Sequence, residues 1–403
     1  MLQRGEIIEK AERVCASLTT ILYEDDTTFL ENMKAQQTQN DELRKYRHWE
    51  WTQGIGLYGF WKLYQFTGKR EYLDTLVRYY DERFIDGLPG KNVNTVAPML
   101  AMTFVYEATQ DDKYLAPITE WAAWVYRDMP RTEEKGLQHI TSDCINDGEL
   151  WDDTLVMTVL FLARAGMLLE RREYVEEAIR QHLLHVKYLA DRSTGLWFHG
   201  WTFNGRHNFA RGLWGRGNSW ITIGFPDFIE MLEGNAGVKA FLAETLGAQV
   251  QRLAELQDES GMWHTVLDDP TSYVESSATA GFCYGILKAV RLGLIDGKYR
   301  DVGLKAAEAL LDNIDAQGVV QNVSYGTPMG RETVDFYKQI PICPMPYGQA
   351  MVLLALTELM MLPDARARCG TRDASSAGTR NGCDAATAVS PLTGGSPAVA
   401  AVR

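Results

Sequence analysis

At 403 residues, with 46% hydrophobic and 11% aromatic side chains, the chain has the apolar content for a large core, which excludes disorder for its body. Its net charge of −13 argues against a nucleic-acid surface, and no apolar run reaches the roughly 18 uncharged residues of a membrane span. The six cysteines are scattered without metal-ligand spacing, which predicts free thiols in a reducing cytoplasm and no metal site.

The first residues lead into an amphipathic pattern, Ile7, Ile8, Ala11, Val14 and Leu18 among Glu, Lys and Arg. It predicts a helix over 6–22 and lacks the uninterrupted apolar stretch of an export signal. From Trp51 onward one unit recurs: an apolar helix, a turn, a more amphipathic helix, and a loop with Gly before an apolar residue. The apolar segments begin near Gly54, Asn94, Asp153, Asn218, Ser277 and Tyr347, 40 to 70 residues apart. Their amphipathic partners are expected over 71–84, 113–126, 172–189, 238–256 and 299–314. The loop signatures are Gly87-Leu88, Gly136-Leu137, Gly195-Leu196, Gly261-Met262 and Gly318-Val319.

A helix pair cannot bury its own apolar face, so repeats of this length predict a solenoid or a closed ring. Two features favour closure. The inner segments are apolar on all sides, and the sixth lacks a following partner while the chain starts with a spare one. The expected fold is therefore all-α, an (α/α)6 barrel of six inner and six outer helices, forming one domain over 1–362. The stretch 363–403 is rich in Ala, Gly, Ser and Thr without apolar periodicity and is expected to be a disordered tail.

In such a barrel the loops entering the inner helices open at one end, and Asp152-Asp153 lie there, between Trp151 and the apolar run from Thr154. An Asp at a helix start is a good N-cap, worth roughly 0.3–1 kcal/mol near the dipole, but one suffices for that. The second acid points to proton chemistry. A later block, Trp197 to Trp201 followed by Trp214-Gly215-Arg216-Gly217-Asn218-Ser219-Trp220, is dense in flat aromatics around an Arg. A Trp face suits sugar C–H groups and the Arg fork suits a carboxylate, a combination fitted to an acidic sugar. His139 lies in the loop before the Asp pair, where it either orients substrate or serves the structure. His182 and His185 read as a solvated helix face, Trp51 as a funnel wall and Glu50 as a capping acid.

Taken together, Trp49 to Gly54, Asn92 to Pro98, Leu150 to Leu155, His199-Gly200-Trp201 and Trp214 to Trp220 resemble the unsaturated rhamnogalacturonyl hydrolases, glycoside hydrolase family 105, relatives of the unsaturated glucuronyl hydrolases. The resemblance spans most of residues 40–360. It implies an (α/α)6 barrel without cofactor or metal, acting on small oligosaccharides whose terminal uronic acid carries a C4=C5 double bond. It also implies that Asp153 is the acid that protonates C4 while water adds at C5. Trp51, Asn94, His139, Asp152, His199, Trp214, Arg216 and Trp220 would then contact substrate. Asn94 stands where the glucuronyl-type relatives commonly carry a second Asp.

Three rivals remain at this point: an inverting glycosidase on saturated sugars, needing a second carboxylate from Glu50, Asp143 or Glu275; an epimerase using His199 and His264; and a helical-repeat scaffold without a closed funnel.

Overall fold

The computed structural model describes residues 4–36 and 42–362; the expectation of disorder over 363–403 lies outside the described residues. In chain order, α1 (Arg4–Ile21), α2 (Thr27–Gln36) and α3 (Leu43–Tyr46) precede α4 (Trp51–Thr67), α5 (Arg70–Asp86), α6 (Val93–Thr109) and α7 (Leu115–Arg127). Strand β1 (Glu149–Trp151) leads to a π-turn, Leu155–Val159, that runs into α8 (Leu160–Leu168) and α9 (Arg172–Leu189). Then come β2 (Gly200–Thr202), α10 (Gly215–Met231), α11 (Ala236–Leu256), β3 (Trp263–His264) and β4 (Val274–Glu275). The rest is α12 (Ser276–Arg291), α13 (Arg300–Asp312), α14 (Asp335–Lys338) and α15 (Pro346–Met361).

Helices α4, α6, α8, α10, α12 and α15 pack each on the next, and α15 returns to α4, so the inner ring is closed. Helix α1 packs on α15 as the sixth outer partner, completing an (α/α)6 barrel. The inner helices are buried on nearly every side; in α15 every residue from Tyr347 to Met360 is buried. Glycines let the ring close tightly. A methyl group added at Gly285 would sit 2.0 Å from the Thr222 carbonyl oxygen of the neighbouring inner helix, and one at Gly54 2.7 Å from Ala97. Overpacking of this kind costs typically about 1–3 kcal/mol.

The loop glycines have a common task. Gly195, Gly261 and Gly318 have φ of +80°, +90° and +82°, a region that L side chains avoid. Each also presses on the next outer helix, where a Cβ would lie 2.7 Å from Ala248 O, 2.7 Å from Lys305 O and 2.4 Å from Arg13 O respectively. The last of these is the step from the final loop back to α1, so the outer layer closes by the same contact that spaces its other repeats.

One expectation fails on the outer layer. His182 and His185 are fully buried, with His182 stacked on Phe228 at 3.9 Å. Their Nδ1 atoms lie 2.8 and 2.7 Å from the carbonyls of Ala178 and Gln181. Burial lowers them to about 3 and about 4, so both are neutral packing groups on the inward face of α9. No described helix is long and apolar enough to cross a membrane.

Candidate functional site

The inner helices all start at one end of the barrel, and a cavity of about 360 Å³ opens there. Its position depends on a short antiparallel ladder. β1 pairs with β2 so that Trp151 faces Gly200, and Asp152 N–H donates to the His199 carbonyl at 3.0 Å. The chain leaves β1 in a turn at Asp152-Asp153, with Trp151 and Asp153 lining the cavity and Asp152 between them buried away from it. The chain then turns into the π-turn, a rare element often found at functional sites, and the Asp153 carbonyl accepts from Val156 and Met157 N–H.

Asp153 keeps 18% side-chain exposure beside His139, whose Nδ1 is 3.3 Å from Oδ1 and 2.8 Å from Thr154 Oγ1. The His139 ring lies flat on Trp151, centroids 4.2 Å apart and planes within 7°. Burial drives His139 down to about 3, so it is a neutral neighbour. Burial also raises Asp153, to about 7, against the pull of its backbone N–H groups and Arg216. The carboxyl is therefore substantially protonated near neutral pH, as a general acid requires.

Asp152 is pushed up further, by burial and then by the charge of Asp153. It is 0% exposed and does not line the cavity. Its Oδ2 fills the space over Gly217, where a Cβ would sit 2.3 Å away. The two sequence blocks thus fit together: the second glycine of Trp214-Gly215-Arg216-Gly217 is the room that Asp152 occupies. Asp152, expected at the substrate site, lies behind the cavity wall.

His199 lies behind the wall as well. It is 2% exposed and does not line the cavity. Its ring packs 4.3 Å from Trp214, and Nδ1 lies 2.8 Å from the Tyr337 hydroxyl of α14. His264, in β3, is also off the cavity, with Nδ1 on the Ser272 carbonyl. The histidine pair that an epimerase would need therefore does not face a common substrate. Glu275 is 1% exposed and caps α12, accepting from Ser277 and Ala278 N–H at 2.7 and 2.6 Å.

Trp51, Asn94, His139, Trp214, Arg216 and Trp220 all line the cavity. Trp51 stacks on Tyr347 at 4.7 Å and meets Trp220 edge-on at 6.0 Å. Arg216 lies over the Trp214 and Tyr347 rings at 4.6 and 4.7 Å. Its fork is already spent: Nη1 donates to Ser324 O at 2.8 Å and Ser277 Oγ at 3.2 Å, and Nη2 to Tyr325 O at 3.1 Å and Thr327 Oγ1 at 2.9 Å. Only Nε is without a partner among the described residues. Arg216 pins the 324–327 loop, and the expected bidentate grip on a substrate carboxylate is not available to it.

Sequence reasoning missed much of the wall. Asp26, Phe29 and Asn32 at the N-terminal side, Asn146 in the loop before β1, and Tyr325 to Met329 with Arg331 all line the cavity, as does Asp143, which was weighed as a second carboxylate. Arg331 clamps Glu149 with contacts of 2.7 and 3.2 Å, and Glu149 accepts from Trp151 Nε1 at 2.9 Å. Glu50, read as a cap, also lines the cavity, and its N–H donates to the Gln53 side chain at 3.1 Å.

Comparison with known proteins agrees with this geometry. The chain is 33% identical over 315 residues to the unsaturated rhamnogalacturonyl hydrolase YesR of Bacillus subtilis (strain 168), covering 77% of this chain and 90% of that one. A solved structure described as a possible member of the GH105 family from Salmonella enterica serovar Paratyphi A superposes with a TM-score of 0.83 at 46% identity, over 89% of this chain and 95% of that one. The unsaturated glucuronyl hydrolase of Bacillus sp. GL1 shares the fold, with a TM-score of 0.65 at 20% identity over 89% of this chain and 97% of that one. Residues 26–363 match the model of glycosyl hydrolase family 88, and with a closed (α/α)6 barrel, a buried acid and an aromatic cavity, the chain belongs to that family of glycoside hydrolases.

Proposed function

We propose that this glycoside hydrolase removes a terminal 4,5-unsaturated uronic acid from lyase-generated oligosaccharides of the rhamnogalacturonan type, with Asp153 as the acid. One observation carries the reading: a carboxyl that burial raises to about 7, facing a cavity walled by Trp51, Trp151, Trp214, Trp220 and Tyr347. In the reaction Asp153 gives its proton to C4 of the vinyl ether, water adds its oxygen at C5, and the proton that water loses returns to the Asp153 carboxylate. The hemiketal so formed opens to the keto acid and releases the rest of the oligosaccharide. A single acid suffices for this route. The name of YesR supports it. The free thiols Cys15, Cys144, Cys283 and Cys343 support a cytoplasmic setting.

An inverting glycosidase would need an ionised carboxylate as base across the sugar. Glu50 shares the cavity, but burial raises it to about 8, which suits a donor better than a base. The test is turnover of a lyase-derived unsaturated disaccharide, followed as loss of the ultraviolet absorbance of its C=C bond. Run in heavy water, hydration installs deuterium at C4; a product without it overturns the vinyl-ether route and returns the inverting reading.

A further inference from the structure

The cavity contains a second acid that this chemistry leaves unused. Glu50 is 5% exposed and lines the cavity just before the first turn of α4. Its Oε1 accepts from the Ser142 hydroxyl, which in turn accepts from Asn92 Nδ2 at 3.0 Å. Its Oε2 is buried with no hydrogen-bond partner. Burial raises this carboxyl first, with Asp143 adding to the rise, while Ser142, the Trp51 N–H and the Asn94 side chain oppose it. With Oε1 accepting as the carbonyl oxygen, the proton resides on Oε2, and a carboxylic acid in this state is a donor in need of an acceptor.

The substrate class proposed above brings one. Its uronate carboxylate needs donors, and two of the three cations of the cavity wall have spent their forks. Arg216 holds the 324–327 loop and Arg331 clamps Glu149, while Arg47, half-exposed, meets Asp25 through Nε at 3.0 Å. An arginine that has spent both ends of its fork contributes a field and one N–H, not a bidentate grip.

Resting on the uronyl reading of the site, we propose that Glu50 is a substrate-positioning residue that donates a hydrogen bond from Oε2 to the carboxylate of the bound uronic acid, beside the amide of Asn94. Carboxylate recognition here is built on neutral donors rather than on a forked cation. The arrangement explains how a family site whose second acid is replaced by Asn94 still presents a second carboxyl to the sugar.

Binding is best read in an Asp153→Asn background, where the acid can neither turn the substrate over nor titrate. The unsaturated disaccharide is titrated calorimetrically into Asp153→Asn and into Asp153→Asn carrying Glu50→Gln or Glu50→Ala, from pH 6 to 9. Asp143, His139 and the three guanidinium groups face the same cavity in every variant, and His139 is neutral across this range. With Glu50 intact, Kd rises at least tenfold between pH 7 and 9, because the ionised acid repels the substrate carboxylate. Gln keeps a donor and cannot ionise, so its Kd stays within about threefold of the pH 7 parent value and flat with pH. Ala weakens binding at every pH, with the melting temperature reporting whether the α4 cap survives. Equal Kd for all three at pH 7, or a Gln variant whose Kd climbs with pH as the parent's does, overturns the proposal. Wild-type turnover is the separate control: failure to consume the disaccharide strikes the uronyl function, whereas turnover with Kd indifferent to Glu50 strikes this inference alone.

Discussion

The two ends of the barrel bury acids under opposite conditions. At the base, Asp227 of α10 and Lys288 of α12 are each 1% exposed and in direct contact, with Glu230 2.6 Å from the same Nζ and the Tyr284 hydroxyl donating to Asp227 at 2.7 Å. Arg291 and Glu358 tie α12 to α15 beside them. Burial pushes the Asp227 carboxyl up, but Lys288 and Lys62 pull it further down, and it ends below the ordinary range. At the mouth, Asp152, Asp153 and Glu50 have no cation in hydrogen-bond contact among the described residues, and burial wins. Burial at both ends thus leaves an acid below the ordinary range at the base and acids raised above it at the mouth. The partner decides, and the end without partners is the end able to deliver a proton.

Removing the proton donor is the largest way to test the contrast. Asp153→Asn should lower kcat by about 10²–10⁴-fold, the usual worth of a positioned acid, with disaccharide affinity and melting temperature nearly unchanged. Activity within a few-fold of the parent would move the acid elsewhere. The matching change at the base is Lys288→Met. It strands Asp227 and Glu230, and breaking a buried pair from one side costs about 3–5 kcal/mol. Urea unfolding should show that loss while kcat/KM of the folded variant holds. A large kinetic defect with unchanged stability would mean that the two ends are coupled.

The barrel was readable because its signals are local. Apolar runs and the Gly before each inner helix place the helix starts within a turn: Gly54 against Trp51, Asn94 against Val93, Ser277 against Ser276. The histidines of α9 were misread although their spacing places them with Ala178 and Leu189 on one buried face, a pattern that helical periodicity contains. The site was half readable for a physical reason. Asp152 stands between two cavity residues in sequence, but the turn after β1 points it away; His199 lies just before β2 and packs behind Trp214, and three-residue strands such as β1 and β2 announce neither their pairing nor their facing. The 324–331 loop reaches the cavity through contacts that Arg216 makes more than 100 residues away in sequence. Glu50 shows the limit best: a cap is a local signal, and a wall is not.

Arg216 stands between the two regimes, a buried cation at the mouth whose hydrogen bonds go to neutral groups. Arg216→Lys keeps the charge and loses most of the four contacts to Ser277, Ser324, Tyr325 and Thr327. The expected cost is about 1–3 kcal/mol in stability, from buried carbonyls left without donors. KM should rise severalfold as well, because Tyr325 and Thr327 line the cavity. A raised KM at unchanged melting temperature would instead assign the residue to direct substrate contact.

The smallest effect is expected from Lys62, the one cation at the base that burial depresses. It is partly buried over the Tyr58 ring at 5.1 Å, and it is lowered to about 8 by burial and then by Lys288, against the attraction of Asp227. A lysine depressed in the folded state is held less tightly there than in the unfolded chain. Stability therefore rises as pH climbs from about 8 toward the ordinary lysine range, and below pH 8 the charged form is a cost. Lys62→Met keeps the length of the stem and removes the charge. At pH 7 the variant should match the parent or exceed it by about 1 kcal/mol or less, and the advantage should fade by pH 10, where the parent has shed its proton. Melting temperatures of the two proteins across pH 7–10 measure this. A loss of several degrees at pH 7 would show that Lys62 is a working partner of Asp227, whose Oδ2 has no hydrogen bond. The base would then be a network of matched charges in which every cation is needed.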